Sequence, residues 1–216
     1  GIGDTFKYLI AYYIIMGKKI LDEVLEVLEK PTYTEVLLCI VSGKNYATAI
    51  AKFLNKKQPT ITEQLSLLEK LQVIKFKTRR KAKEYEVNWD VLLTIFYDII
   101  EEVLDARSDF LPKKEINRIK KLGIKNIVPP KLIKIFLKEY FLTFVDLGGK
   151  RKGFDEIIFS FFSALNNLEK KYMKRLSKIF RVDEDALYSL ANLMEFEISG
   201  IEQVALETYL DLMGKG

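Results

Sequence analysis

The sequence predicts a mostly α-helical chain carrying one two-stranded β-hairpin. Three observations lead there. Apolar residues recur at steps of three and four over most of the chain. Only 11 Gly and 5 Pro punctuate 216 residues, which is too little for a strand-rich sandwich. Residues 73–87 instead alternate apolar and polar side chains around a polar turn, the pattern of a hairpin.

The elements follow in order. Residues 4–30 read as a helix, with Leu9, Tyr12, Tyr13, Met16, Ile20, Val24, Val27 and Leu28 at helical spacing. Pro31 closes it, because the residue before a proline is pushed out of the helical region. A second helix is expected over 32–42, with Thr32 or Thr34 as its N-cap and Gly43 as its stop. Asn45 is the expected cap of a third, over 46–54. A polar turn at 55–58 leads to Pro59, in the first turn of a fourth helix. That helix buries Ile61, Leu65, Leu68 and Leu71 and turns Thr60, Thr62, Glu63, Gln64 and Ser66 to its other faces.

Strands are expected over 73–78 and 84–87, around a basic tip at 79–83. Asn88 or Asp90 starts a helix over 91–105. Further helices are expected near 112–122, 130–146, 154–180 and 184–212, the last capped by Asp183. The expected division is an N-terminal helix (1–30), a compact unit (31–90), a connecting helix (91–105) and a helical domain (106–216).

Composition narrows the function. Hydrophobic residues make up 49% and charged residues 30%, a globular balance. The chain has no histidine and one cysteine, Cys39. An intrachain disulfide and a multi-cysteine zinc site are excluded, and the commonest general base is missing. The paired acids Asp22-Glu23, Glu101-Glu102 and Asp155-Glu156 are adjacent in sequence, so on a helix they point apart. The expectation is a non-enzyme with no catalytic residues, no metal and no cofactor. Cys39, inside Val36–Val41, reads as a core residue. The apolar stretch 8–17 is too short to span a bilayer and lacks the flanks of a signal peptide. The expected setting is cytoplasmic, with no membrane partner.

Charge is unevenly spread. The net charge of +5 resolves into −1 over residues 1–30, +5 over 31–90, +8 over 91–182 and −7 over 183–216. A basic middle suits a polyanionic partner.

The order helix, helix, turn, helix, hairpin carries a more specific signal. The run Gln58-Pro59-Thr60-Ile61-Thr62-Glu63-Gln64-Leu65-Ser66-Leu67-Leu68-Glu69-Lys70-Leu71-Gln72-Val73-Ile74 resembles the recognition-helix segment of the MarR and ArsR families of winged helix-turn-helix regulators. Those families show Q-P-T-V-S, two variable polar residues, L-x-x-L-E and an apolar pair entering the wing. The resemblance covers residues 32–90. It departs from the pattern at three places. Gln72 stands where a glycine is common, Ala82 stands in a wing tip without its usual glycine, and Glu63 replaces a frequent arginine.

The resemblance implies a winged helix that binds double-stranded DNA as a transcriptional regulator. Thr60, Thr62, Glu63, Gln64 and Ser66 would meet base edges in the major groove, where donors and acceptors are distinct for each pair. Lys56, Lys57, Lys77, Arg79, Arg80, Lys81 and Lys83 would hold the backbone, with Lys75 on the same hairpin. A homodimer would read two half-sites. Residues 6–28 and 91–104 are the expected dimer contacts, with Leu92, Ile95, Phe96, Ile99 and Val103 facing in, and intrachain packing between those two helices is the alternative.

The rival function is a winged-helix protein-interaction adaptor in a chromosome or replication assembly. Residues 131–165 are rich in aromatics, including Phe136, Tyr140, Phe141, Phe144, Phe154, Phe159, Phe161 and Phe162. Such spacing reads first as core. The sharper reading is a site for a small apolar effector or a protein partner within 106–216. The basic loop 148–153 does not fit a phosphate-binding loop motif and reads as a solvated loop.

Overall fold

The computed structural model describes residues 21–147, 152–194 and 201–214. These residues are mostly helical, with one two-stranded antiparallel sheet. In chain order they give α1 (residues 21–28), α2 (Pro31–Val41), α3 (Ala47–Leu54), α4 (Gln58–Lys70), β1 (Ile74–Arg79), β2 (Ala82–Val87) and α5 (Trp89–Arg107). There follow α6 (Lys113–Leu122), α7 (Ile124–Ile127), α8 (Pro130–Leu147), α9 (Phe154–Asn167), α10 (Lys170–Phe180), α11 (Glu184–Met194) and α12 (Ile201–Gly214). Residues 4–20 of the expected first helix, and with them most of the N-terminal dimer contact, lie outside the described residues.

Caps differ from expectation at two helices. Pro31 is the first residue of α2 and Lys30 holds the N-cap, so neither Thr32 nor Thr34 does. Proline at that position loses nothing, because its N–H would have had no partner. The Thr34 hydroxyl is buried and donates to Leu28 O at 2.7 Å, satisfying a carbonyl that the end of α1 leaves without a helical partner. Asn45 lies one residue too early to cap α3, where Tyr46 is the N-cap. Its amide donates instead to Glu84 Oε1 at 3.3 Å, across to β2. Gly43 ends the α2 turn at φ +99°, and Asp183 Oδ1 accepts from Ala186 N at 3.0 Å, both as expected.

One expected helix breaks where periodicity alone continues. The expected helix over 154–180 divides into α9 and α10, with Leu168 and Glu169 extended at ψ 137° and 148°. No proline or glycine marks the break. What changes is the pattern, from a segment buried on most sides to a strongly two-faced one, and Leu168 is buried at the corner. The expected helix over 184–212 appears as α11 and α12, and the residues between lie outside the described ones.

The hairpin turn is tighter than the basic tip suggests. Arg79 pairs with Ala82, so the loop is only Arg80 and Lys81. Both have left-handed backbones, φ 52° and 66°, as in a type I′ turn, which matches the twist of paired strands. Ala82 and Lys83 belong to β2 and not to the tip. A left-handed residue with a side chain costs about 1–2 kcal/mol; glycine avoids this, and its freer unfolded chain offsets part of the gain. We expect Lys81→Gly to stabilise the protein by about 0.5–1 kcal/mol, read as a raised Tm. A lowered Tm would mean that the turn is not of this type.

The core runs through the described residues from end to end. Buried apolar residues form one contiguous cluster from Val24 to Leu210, so packing continues across residues 90 and 106. α2 lies centrally, its Val36, Leu37 and Cys39 fully buried, in contact with α3, α4, β2 and α8. Phe53 on α3 meets Phe141 on α8 at 5.5 Å between ring centroids. α5 reaches the C-terminal helices through Phe96, which stands edge-on to Phe154 (6.4 Å) and Phe161 (6.0 Å). The Tyr97 hydroxyl donates to Val128 O at 2.6 Å.

The aromatics of 131–165 fill one another's space. Phe136 and Phe161 sit 4.5 Å apart, and Phe161 and Phe162 5.2 Å apart. The side chain of Phe144 lies outside the described residues. The residues expected to face a dimer partner are buried within one chain: Leu92, Ile95, Phe96 and Ile99 are each 5% exposed or less, and Val103 is half-buried. Their burial is intrachain, but Phe96 meets Phe154 and Phe161 of α9, not the N-terminal segment named in the alternative. Among the described residues, no helix is long and apolar enough to cross a membrane.

Cys39 is fully buried, and burial pushes its thiol up from the ordinary value to about 12. Thiolates are the reactive form, so the native protein is expected to resist iodoacetamide at pH 8 and to react once unfolded. Rapid labelling under native conditions would contradict this. The raised value also links to stability: the contribution is complete below the ordinary thiol range and is lost as pH rises towards about 12.

Candidate nucleic-acid interface

α4 and the hairpin form one outward surface. α4 begins with Lys57 at its N-cap and proline in its first turn. Ile61, Leu65 and Leu68 face inward and are completely buried, packing α4 on α2 and α3. Thr60, Thr62, Glu63 and Ser66 are exposed. Gln64 is not, and this corrects the sequence reading. It is 8% exposed, and its Oε1 is enclosed without a hydrogen-bond partner among the described residues. Position 64 follows Ile61 by three residues and precedes Leu68 by four, which places it on the inner stripe. Polarity suggested the outer face; helical phase puts it inside.

The hairpin is held to this unit at its foot and its middle. Asn88 N donates to Val73 O at 2.8 Å, and Tyr85 N donates to Asn45 O at 2.8 Å. Tyr85 is buried, and burial together with the Glu69 carboxylate raises its phenol above the ordinary range. Gln72 is left-handed at φ 62°. Its carbonyl accepts from Asn88 Nδ2 at 2.9 Å, which pins the corner between α4 and β1.

Only Ile74 of β1 is buried, so Lys75, Lys77 and Arg79 project along an open strand. The cations then fall into two sets. Lys75 pairs with Glu86 at 3.9 Å, Arg79 with Glu84 at 3.8 Å, Lys83 with Glu69 at 3.6 Å, and half-buried Lys56 with Glu35 at 3.8 Å. Lys83 also lies over the Phe76 ring at 4.1 Å. Lys57, Lys77, Arg80 and Lys81 have no acidic partner within ion-pair distance among the described residues. The exposed pairs are long and weakly stabilising, worth at most about 1 kcal/mol each. A phosphate could take over such a cation at little cost.

A cleft of about 260 Å³ separates α4 from the hairpin, lined by Thr62 and Gln58 on one side and Ala82, Lys83 and Tyr85 on the other. Its floor is the start of α3, with Tyr46, Ala47 and Thr48. The Tyr46 hydroxyl donates to Glu84 Oε2 at 3.2 Å. Tyr46, Thr48 and Gln58 were not among the expected contacts. Thr48 could have been found, since it falls outside the apolar stripe Ala47, Ile50, Ala51 and Leu54 and is exposed.

Only the end of the basic loop after α8 falls within the described residues. Residues 148–151 lie outside the described ones, and Lys152 Nζ donates to Ser160 Oγ at 3.0 Å. Gly153 is buried so close to the Glu29 carbonyl that a Cβ would collide with it. Comparison with known proteins returns no match to this chain, whether to family models, curated proteins or solved structures.

Proposed function

We propose that residues 31–90 form a winged helix-turn-helix that binds double-stranded DNA, and that the protein is a transcriptional regulator. The observation that carries this is the juxtaposition of two surfaces across one cleft. One is the exposed polar face of α4, with Thr60, Thr62, Glu63 and Ser66. The other is the hairpin, which lines the cleft with Ala82, Lys83 and Tyr85 and carries Lys77, Arg80 and Lys81 beyond it, exposed and free of acidic partners among the described residues. A helix of this width fits the major groove. The hairpin cations and Lys57 suit phosphates, and Lys57 stands at a helix N-terminus, which favours anions.

A homodimer reading two half-sites belongs to the proposal. The apolar face of α5 is taken up within one chain, so the dimer would use another surface. One observation favours the adaptor reading: three of the six hairpin cations, Lys75, Arg79 and Lys83, are paired with acids of the same chain.

Fluorescence anisotropy with a genomic duplex library, repeated over a salt series, separates the two. Tight binding to few sequences that weakens steeply with salt is the expected result. Absent or sequence-blind binding would transfer the fold to the adaptor class.

A further inference from the structure

The charge of residues 91–182, +8 in all, is not used by α4 or the hairpin. Much of it lies between positions 113 and 138, where nine Lys and Arg face a single acid, Glu115. Two of these cations are committed elsewhere: Lys120 to Asp105 at 3.1 Å and Arg118 to Asp183 at 3.9 Å. Lys125, Lys131, Lys134 and Lys138 are all exposed, with no acidic partner in ion-pair distance among the described residues. On α8, positions 131, 134 and 138 are spaced by three and four, so these lysines share one stripe.

Two aromatic rings of α5 locate this stripe. Lys134 Nζ lies over the Trp89 ring at 5.4 Å, and Lys125 Nζ lies over the Tyr97 ring at 5.5 Å. Trp89 and Tyr97 are eight residues apart on one helix, a rise of about 12 Å. Trp89 is also the second residue after β2, whose Glu86 pairs with Lys75 of β1. Lys134 therefore lies near the foot of the hairpin and Lys125 further along α5, while Lys131 and Lys138 share the α8 stripe with Lys134.

Resting on the DNA-binding reading above, we propose that Lys125, Lys131, Lys134 and Lys138 form a second phosphate-contacting surface that engages the flank of the bound duplex. Four unpaired cations are costly to hold together in a folded protein, since each repels the others. A phosphate backbone relieves that repulsion and releases counterions. The contact would carry no sequence information of its own.

The test is the quadruple variant Lys125→Gln, Lys131→Gln, Lys134→Gln and Lys138→Gln, in the full chain. Anisotropy is measured on a short duplex of about one helical turn and on a longer one containing the same site with flanks, each over a salt series. For the native chain we expect the longer duplex to bind more tightly with a steeper salt slope. In the variant that advantage should fall by about tenfold or more and the slope by about 2–4, with short-duplex binding unchanged. An unchanged long-duplex slope in a variant that melts like the native chain would overturn the second surface and leave the primary reading standing. No salt-sensitive binding of either duplex would overturn both.

Discussion

Reversing charge at Lys77, Arg80 and Lys81 together is expected to lower duplex affinity by about a hundredfold or more at moderate salt, and to flatten the salt slope by about 3. The three side chains are exposed, and no acid pairs with them among the described residues, so their charge is available to a ligand. Each phosphate contact contributes about 0.9 to the slope of log affinity against log salt, and a carboxylate in its place adds repulsion. A hundredfold loss corresponds to about 2.7 kcal/mol of binding free energy. Folding should be little affected, because surface changes away from packing move stability by about 0.5 kcal/mol or less. Circular dichroism and thermal melting check that point. Thr62→Ala provides the contrast: it should alter the preferred sequence and leave the slope intact, as expected of a base contact and not a phosphate contact. Affinity and slope both unchanged in the triple variant would remove the hairpin from the interface and end the reading of this surface as a nucleic-acid site.

Phe161→Ala should produce the largest loss of stability, about 3–5 kcal/mol. The Phe161 ring is fully buried and touches Phe96 of α5, Phe136 of α8 and Phe162 beside it. Its removal leaves a cavity that three elements cannot readily close, and ordinary domains have only about 5–15 kcal/mol in reserve. The same variant tests whether the single contiguous core behaves as one cooperative unit. Trp89 is the chain's sole tryptophan and sits at the foot of the hairpin, so its fluorescence reports on residues 31–90. Circular dichroism reports on helices throughout. In urea the two transitions should coincide and shift together to lower midpoint. A fluorescence transition that stays in place while the helical signal shifts would show two independently stable parts.

Sequence legibility was greatest where one local rule sufficed. Alternation between Val73 and Val87 specified a hairpin, and Ile61, Leu65 and Leu68 specified the inner stripe of α4, because both depend on the fixed periods of strand and helix. Asp183 was legible as a cap and Gly43 as a stop, since each acts on backbone groups within a few residues. Polarity was a poorer guide than phase. Gln64 looks like a surface residue by composition, yet helical geometry alone places it beside Ile61 and Leu68, and that signal was present in the spacing.

The sequence by itself determined the helical class, the hairpin, the inward face of α4 and the basic character of the middle of the chain. Each follows from residue type, spacing and formal charge, which are local properties. Tertiary structure decided the rest. Whether Leu92, Ile95, Phe96 and Ile99 meet a second chain or their own depended on α9 supplying Phe154 and Phe161 to the same space, a long-range fact that no local pattern encodes. Which hairpin cations are free depended on Glu69, Glu84 and Glu86 reaching three of them and not Lys77, Arg80 or Lys81. The lysines of α7 and α8 became a surface only because Trp89 and Tyr97 of α5 lie beneath two of them. Contacts between residues distant in sequence arise from how helices stack, and stacking is settled by the shape of the whole core.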